Sequence, residues 1–181
     1  MSNYRAAARY AKSLFELAIE KNKLENVKAD MDMLNGLCLE SKPFHNFIKN
    51  PIINSYKKLG IFQKLFEKRL DKLTYKFIGI ITCKGREDIL PEIGDQFMQE
   101  YRMFKKIEIV NVTTPIELGK ELKEEFISLA KQLVGKNKKV ELKENVNEDL
   151  LGGFVLRIRD KQIDDSVSSK LRDLKKKLIV S

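Results

Sequence analysis

The chain has 181 residues, 43% of them apolar, and carries 35 Lys and Arg against 26 Asp and Glu, a net charge of +9. That is enough apolar material for one large or two small cores without staples, and its positive balance favours an acidic partner or an anionic surface. No uncharged apolar run approaches the ~20 residues of a membrane-spanning helix and no signal-peptide core follows the first residues, so a soluble protein without direct membrane insertion is expected.

The opening stretch is rich in Ala and Arg and has no acid before Glu16, in the manner of an organelle presequence. Its amphipathic pattern runs unbroken past Glu16, which favours a folded helix over residues 4–21. At about 100° per residue, Tyr4, Ala7, Ala8, Ala11, Leu14, Phe15, Ala18 and Ile19 share one side, and Tyr10 and Leu17 widen it. The apolar arc then spans roughly 200°, about twice what packing on one core requires. Either this helix sits unusually deep or it keeps a second apolar face for another chain. The small residues Ala6, Ala7, Ala8 and Ala11 would let a neighbouring helix come close.

A second helix is expected over Leu24–Glu40, with Val27, Met31, Leu34, Leu37 and Cys38 inward, then a short helical turn with Phe44 and Phe47 before the Asn50-Pro51 break. His45, the sole histidine, has no ligand-spaced neighbours and reads as a surface residue, which leaves no metal site. A fourth helix, Ser55–Arg69, carries Leu59, Phe62, Leu65 and Phe66. The fifth, Leu73–Cys83, reads LTYKFIGIITC with Lys76 as its only charge. A helix apolar nearly all round must be covered on every side. It is either central in a bundle, or Phe77, Ile80 and Ile81 stay partly exposed and form a docking groove with the first helix. Cys38 and Cys83 both lie in helical apolar patterns and read as buried free thiols of a reducing compartment. After Gly85-Arg86 a longer helix runs over Glu87–Lys105, with Pro91 in its first turn.

Near Lys105 the period changes. Ile107–Thr114 (IEIVNVTT) is β-branched and extended, which puts a domain boundary between residues 1–105 and 106–181. Thr114-Pro115-Ile116-Glu117 has capping-box spacing, with Leu118, Leu122, Phe126, Leu129 and Leu133 at helical intervals behind it and Gly135 as the stop. Lys139–Lys143 alternates as a second strand with Val140 and Leu142 inward. In the third strand Phe154, Leu156 and Ile158 alternate with Val155, Arg157 and Arg159. A tight reversal through Asp160–Asp165 leads to a last helix, capped by Asp164, Asp165 or Ser166, whose Val167, Leu171, Leu174 and Leu178 form an apolar stripe. The fold class is therefore α+β: an N-terminal six-helix bundle, then a small α/β domain with a short three-stranded sheet and two helices.

The closing run VNEDLLGGFVLRIRDKQIDDSVSSKLRDL resembles the signature of the delta subunit of F-type ATP synthase, whose mitochondrial counterpart is the oligomycin-sensitivity-conferral protein. The likeness rests on Gly152-Gly153, the Arg157-Ile158-x-Asp160 hairpin entry, the Ile163-Asp164-x-Ser166 turn and the amphipathic helix after it. Tyr10-Ala11-Lys12-Ser13-Leu14-Phe15, Gly85-Arg86, Leu90-Pro91 and Ile93 extend it over nearly the whole chain. Asn147 stands where the family often has Asp, and Asp165 where it often has Gly. Asp165 is expected to take up a left-handed turn with some added strain. The resemblance implies a non-catalytic stator subunit, one copy per complex, that joins the alpha/beta catalytic head to the peripheral stalk and resists rotor torque. It also implies that the first and fifth helices receive the N-terminus of an alpha subunit, with Tyr10, Ala11, Leu14, Phe77, Ile80 and Ile81 as candidate contacts. By the same likeness the C-terminal domain meets the b subunits, and the protein lies peripherally on the cytoplasmic face of a bacterial membrane, or on an organellar inner membrane in a eukaryote.

Chemistry is not expected. No phosphate-binding glycine loop follows a strand, and Gly152-Gly153 precedes a strand rather than a helix, so no nucleotide or other cofactor is implied. No Ser-His-Asp or Cys-His set can be assembled. Asp160, Asp164 and Asp165 cluster at a turn, where Asp commonly bonds backbone. Lys175-Lys176-Lys177 reads as a solvated helix face rather than a nucleic-acid contact. The competing reading, a basic helical RNA-binding or ribosome-associated protein, predicts affinity that falls steeply with salt, whereas apolar groove docking predicts weak salt dependence.

Overall fold

The computed structural model describes residues 2–135 and 138–179. The chain divides into two compact units, Met1–Met103 and Phe104–Ser181.

The first unit is helical: α1 (Ser2–Glu20), α2 (Leu24–Glu40), α3 (Lys42–Lys49), α4 (Ser55–Phe66), α5 (Lys72–Cys83) and α6 (Leu90–Lys105), the last reaching past the unit boundary. The expected long helix from Glu87 begins instead with a 3-10 turn, Glu87–Ile89, and Pro91 falls at the start of the α-helix proper, where its missing N–H costs nothing. The core takes one stripe from each helix: Ala7, Ala11, Leu14, Phe15 and Ala18 from α1, Val27, Met31, Leu34 and Cys38 from α2, Ile78 and Ile81 from α5, Ile93 and Phe97 from α6. The rings of Phe15 and Phe97 meet edge to face at 5.6 Å, and Phe44, Phe47, Phe62 and Phe66 build an aromatic cluster between α3 and α4. Of the two cysteines, Cys38 is buried and Cys83 exposed; both are free. Cys83 is the last residue of α5 and lies on its outer side, although Ile81 and Thr82 just before it are buried.

Lys58 and Glu87 are not apolar, yet both are buried. Lys58 Nζ donates to Glu87 Oε1 at 2.5 Å and to the Ile48 carbonyl at 2.9 Å, so a single ammonium fastens α3, α4 and the 3-10 turn together. Nothing in the periodicity announces this pair.

The second unit holds a four-stranded mixed sheet in the order β2-β1-β3-β4, formed by β1 (Ile107–Thr114), β2 (Lys139–Val146), β3 (Val155–Ile158) and β4 (Lys161–Asp164), with α7 (Lys120–Val134) and α8 (Val167–Ile179). β1 and β2 are parallel, with Val110 opposite Leu142, and α7 is the crossover that parallel pairing demands. β1 pairs antiparallel with β3 on its other side. The expected three-stranded sheet is thus short by one strand. Lys161–Asp164 pairs with β3 across the two-residue Arg159-Asp160 loop, Ile158 facing Lys161 and Val155 facing Asp164. All four residues of β4 are exposed, so they carry no alternation for a periodicity argument to find. A small core of Val110, Val112, Leu118, Ala130 and Leu156 lies under Phe126 and Phe154, whose rings stack edge to face at 4.9 Å.

The capping box at Thr114–Glu117 does not form. Thr114 is the last residue of β1 and its Oγ1 donates to the Ile116 carbonyl at 2.8 Å, while α7 starts at Lys120 behind Gly119, without a side-chain cap. The inward stripe expected for this helix is also thinner than its spacing suggests: Leu122, Leu129 and Leu133 are exposed and Ala130 carries the buried contact.

Candidate functional site

The neighbourhood of α1 and α5 begins with how α5 is held. Asp71 caps it, Oδ1 accepting from the Leu73 N–H at 2.8 Å. The same carboxylate accepts from Lys23 Nζ at 2.8 and 2.9 Å, and the Asp71 N–H donates to Asp30 Oδ2 at 2.9 Å, which ties the start of α5 to the α1–α2 connection and to α2. The bond from the Leu73 N–H, and then that from Lys23, hold the Asp71 carboxyl below the usual carboxylate range. At the other end, Gly85 adopts φ +63°, the Arg86 N–H donates to the Ile81 carbonyl at 3.1 Å and the Gly85 N–H to the Thr82 carbonyl at 3.0 Å. This is a Schellman closure, and it fixes Lys84 and Arg86 at the end of the helix.

Between these supports Tyr10 meets Phe77 edge to face, ring centroids 6.5 Å apart. An open cleft of about 610 Å³ lies beside them, lined by Ala6, Arg9, Tyr10 and Ser13 of α1 and by Lys84 and Arg86. The α1 residues fall at i, i+3, i+4 and i+7, one face of the helix. Phe77 and Ile80 of α5 and its C-cap Lys84 follow the same spacing.

Of the six candidate contacts, Ala11, Leu14 and Ile81 are buried in the unit's own core, so they offer no surface to a partner. Their spacing is that of the core stripe of the same two helices. Tyr10 and Phe77 are half-buried and Ile80 is 55% exposed. On α1, Tyr4 and Leu17 are exposed at 60% and 40%. One stripe of α1 is therefore deep in the core, while Tyr4 and Leu17 lie outside it. Arg9, Ser13, Lys84 and Arg86 were not among the expected residues. Their signal is the lack of any acid over residues 3–15 and 72–86.

In the second unit the structure gathers four of the five signature residues. Gly153 has φ +73°, and a Cβ there would stand 2.3 Å from the Asp165 carbonyl oxygen, a separation no alanine tolerates. The Asp165 N–H donates to the Phe154 carbonyl at 2.9 Å and the Val167 N–H to the Gly152 carbonyl at 3.0 Å. Asp164 Oδ1 accepts from the Ser166 N–H and hydroxyl at 3.0 and 2.7 Å, and Oδ2 accepts from the Ser169 hydroxyl at 2.7 Å. The Ser166 hydroxyl bond leads the effects that lower the Asp164 pKa. Ser166 is the helix cap, its Oγ accepting from the Ser169 N–H at 3.2 Å. Asp160 is apart from this group, in the exposed loop at the closed end of the β3–β4 hairpin. Asp165 has no positive φ, so the expected strain is absent there; Leu151 and Arg159, at φ 61° and 51°, are the left-handed residues of this region besides Gly153. The carboxylates serve turns and caps, and among the described residues no group of three or more His, Cys, Asp or Glu is placed to hold a metal.

The apolar stripe of α8 does not face a core. Val167, Leu171 and Leu174 are 40%, 52% and 56% exposed; Leu178 lies outside the residues whose side chains are described. Among the described residues no helix is long and apolar enough to cross a membrane.

Residues 6–178 match the family described as ATP synthase delta (OSCP) subunit. The chain belongs to this family. It is 38% identical over 180 residues to the ATP synthase subunit delta of Amoebophilus asiaticus, covering 99% of this chain and 97% of that one. Against the ATP synthase subunit delta of Cytophaga hutchinsonii the identity is 38% over 177 residues, covering 98% and 96%. A chain in the mitochondrial ATP synthase hexamer of Toxoplasma gondii shares the fold, with TM-score 0.73 at 24% identity over 96% of this chain and 97% of that one. As a delta/OSCP subunit the protein is a stator component of the peripheral stalk of F-type ATP synthase, a structural and not a catalytic part. The RNA-binding alternative finds no support in these matches.

Proposed function

We propose that this delta/OSCP subunit holds the catalytic head still through two separate grips, one on each unit. The N-terminal six-helix bundle, ending near Lys105, receives the amphipathic N-terminal helix of an alpha subunit on the face shared by α1 and α5. The C-terminal unit meets the ends of the b subunits through its helices. One copy serves each complex, on the cytoplasmic side of a bacterial membrane or its organellar equivalent. The observation that carries the first grip is the exposed Ile80 and the half-buried Phe77 and Tyr10 near an open cleft, on helices whose other stripes already fill a core. The uncovered Val167, Leu171 and Leu174 of α8 support the second, because a leucine stripe kept in water costs free energy until something covers it. Such contacts resist torque by slow dissociation rather than by chemistry.

Titration of the full chain with a peptide of the alpha-subunit N-terminus tests the first grip. Ile80→Asp should weaken binding at least about tenfold while thermal unfolding stays close to wild type, because the side chain lies outside the core. Ala11→Asp, by contrast, should unfold the unit outright, since it buries an unpaired carboxylate. Unchanged peptide binding by Ile80→Asp would refute this docking face.

A further inference from the structure

The cleft between α1 and the end of α5 is cationic as well as apolar, and its charges have no counter-ions among the described residues. Arg5, Arg9 and Lys12 on α1 and Lys76, Lys84 and Arg86 on or just past α5 are all exposed, and none has an ion pair among the described residues. Exposed cations without an ion pair among the described residues occur elsewhere too, Lys57, Lys64 and Lys72 among them, but here three of the six residues that line the cleft are cationic and none is acidic. Arg9, Lys84 and Arg86 line the cleft itself, with Tyr10 and Ser13 between them, so any segment lying in it brings its own groups within ion-pair reach of three cations. The Schellman closure at Gly85 pins Lys84 and Arg86 by backbone bonds, and a preorganised backbone lowers the entropy cost of engaging them.

We infer that the α1–α5 cleft selects its occupant by charge: the docked segment is an amphipathic helix whose polar face carries carboxylates opposite Arg9, Lys84 and Arg86. This rests on the docking reading above and adds the chemistry that decides which helix is accepted. Apolar burial on Ile80, Phe77 and Tyr10 supplies affinity to any amphipathic helix. The unpaired cations reject a basic or neutral polar face and speed the approach of an acidic one. The consequence departs from the weak salt dependence expected of purely apolar docking.

The test uses the full chain and a synthetic peptide of the alpha-subunit N-terminus, titrated at low and high salt. The triple variant Arg9→Gln/Lys84→Gln/Arg86→Gln should bind about tenfold more weakly at ~50 mM salt, and the gap should close to about twofold at ~500 mM as screening shortens. A peptide with its Asp and Glu replaced by Asn and Gln should lose a similar factor against wild type and nothing further against the triple variant. Thermal unfolding of the triple variant should match wild type, because all three side chains are on the surface. Equal binding by wild type and triple variant at ~50 mM salt, with the peptide still bound, would overturn the charge selection and leave the docking face intact. No binding of the peptide to wild type at either salt would overturn the docking face itself. Tight binding of a vesicle of anionic lipid or of single-stranded RNA at this cleft, displacing the peptide, would overturn a helical occupant.

Discussion

Gly153→Ala isolates what the double-glycine turn does. The native residue sits at φ +73°, which costs an alanine about 1 kcal/mol. Its new Cβ would stand 2.3 Å from the Asp165 carbonyl oxygen, so the β4–α8 turn must retreat by roughly an ångström, and backbone rather than a flexible side chain has to move. That retreat threatens two bonds, Asp165 N–H to the Phe154 carbonyl at 2.9 Å and Val167 N–H to the Gly152 carbonyl at 3.0 Å, each contributing about 1 kcal/mol. The loss should total about 3–4 kcal/mol, severe for so small a unit. The assay has a built-in control, because all five tyrosines lie at or before Tyr101 and the chain has no tryptophan. Tyrosine fluorescence in denaturant therefore reports the first unit alone, whereas circular dichroism and amide exchange also see the second. Gly153→Ala should move the second-unit transition and leave the tyrosine transition in place. Gly152→Ala meets the Val167 side chain at 2.9 Å without a left-handed φ and should cost only about 1 kcal/mol. A Gly153→Ala loss below about 1 kcal/mol would refute the claim that the carbonyl approach dictates glycine.

Two further outcomes concern buried and partly buried charge. Lys58→Met strands the Glu87 carboxylate in the core and should cost about 3–5 kcal/mol by tyrosine-monitored unfolding, while Lys58→Met/Glu87→Leu should recover most of it; an equally unstable double variant would show that packing, not the stranded charge, is at fault. Glu108, which accepts from Arg159 Nε at 2.8 Å and from Lys138 Nζ at 2.8 Å, has its pKa drawn below 4.5, first by the Arg159 bond. A depressed carboxyl stabilises the fold above its unfolded pKa and loses that contribution as pH falls through the lower folded value. Stability of the second unit should therefore decline below about pH 4.5, and Glu108→Gln should flatten that decline; parallel acid profiles for variant and wild type would contradict it.

Much of this molecule is legible in its sequence because most elements bury one clean stripe. The helices of the first unit, the β-branched run Ile107–Thr114 and the alternation Phe154–Ile158 all leave a period, and of the three expected cap residues of α8 it is Ser166 whose hydroxyl accepts from a helix N–H. What escaped lacks a period. β4 is exposed at all four positions, so its pairing depends on the Arg159-Asp160 loop and on β3, not on its own side chains. The Lys58–Glu87 pair is a contact between residues 29 positions apart, and no local pattern encodes it. For the candidate site, hydropathy could not divide Ala11, Leu14 and Ile81, which are buried, from Tyr10 and Phe77, which pack on the core only in part, or from Ile80, which is exposed. The charged wall of the cleft was visible only as absent acids. The leucines of α7 and α8 mislead in the opposite direction, since an amphipathic helix whose stripe lies exposed reads the same as one packed on a core.

The strand order β2-β1-β3-β4 leaves both margins of the sheet unpaired, and margins invite other chains to add a strand. Here each is guarded. β4 is only four residues long and begins with Lys161, while β2 sets Lys139, Glu141 and Lys143 outward along its length. Ionic fringes of this kind discourage self-association through main-chain pairing, which a subunit of a large machine must avoid. On the proposed reading, adhesion by this unit then falls to its helical flank, where Leu171 and Leu174 lie exposed.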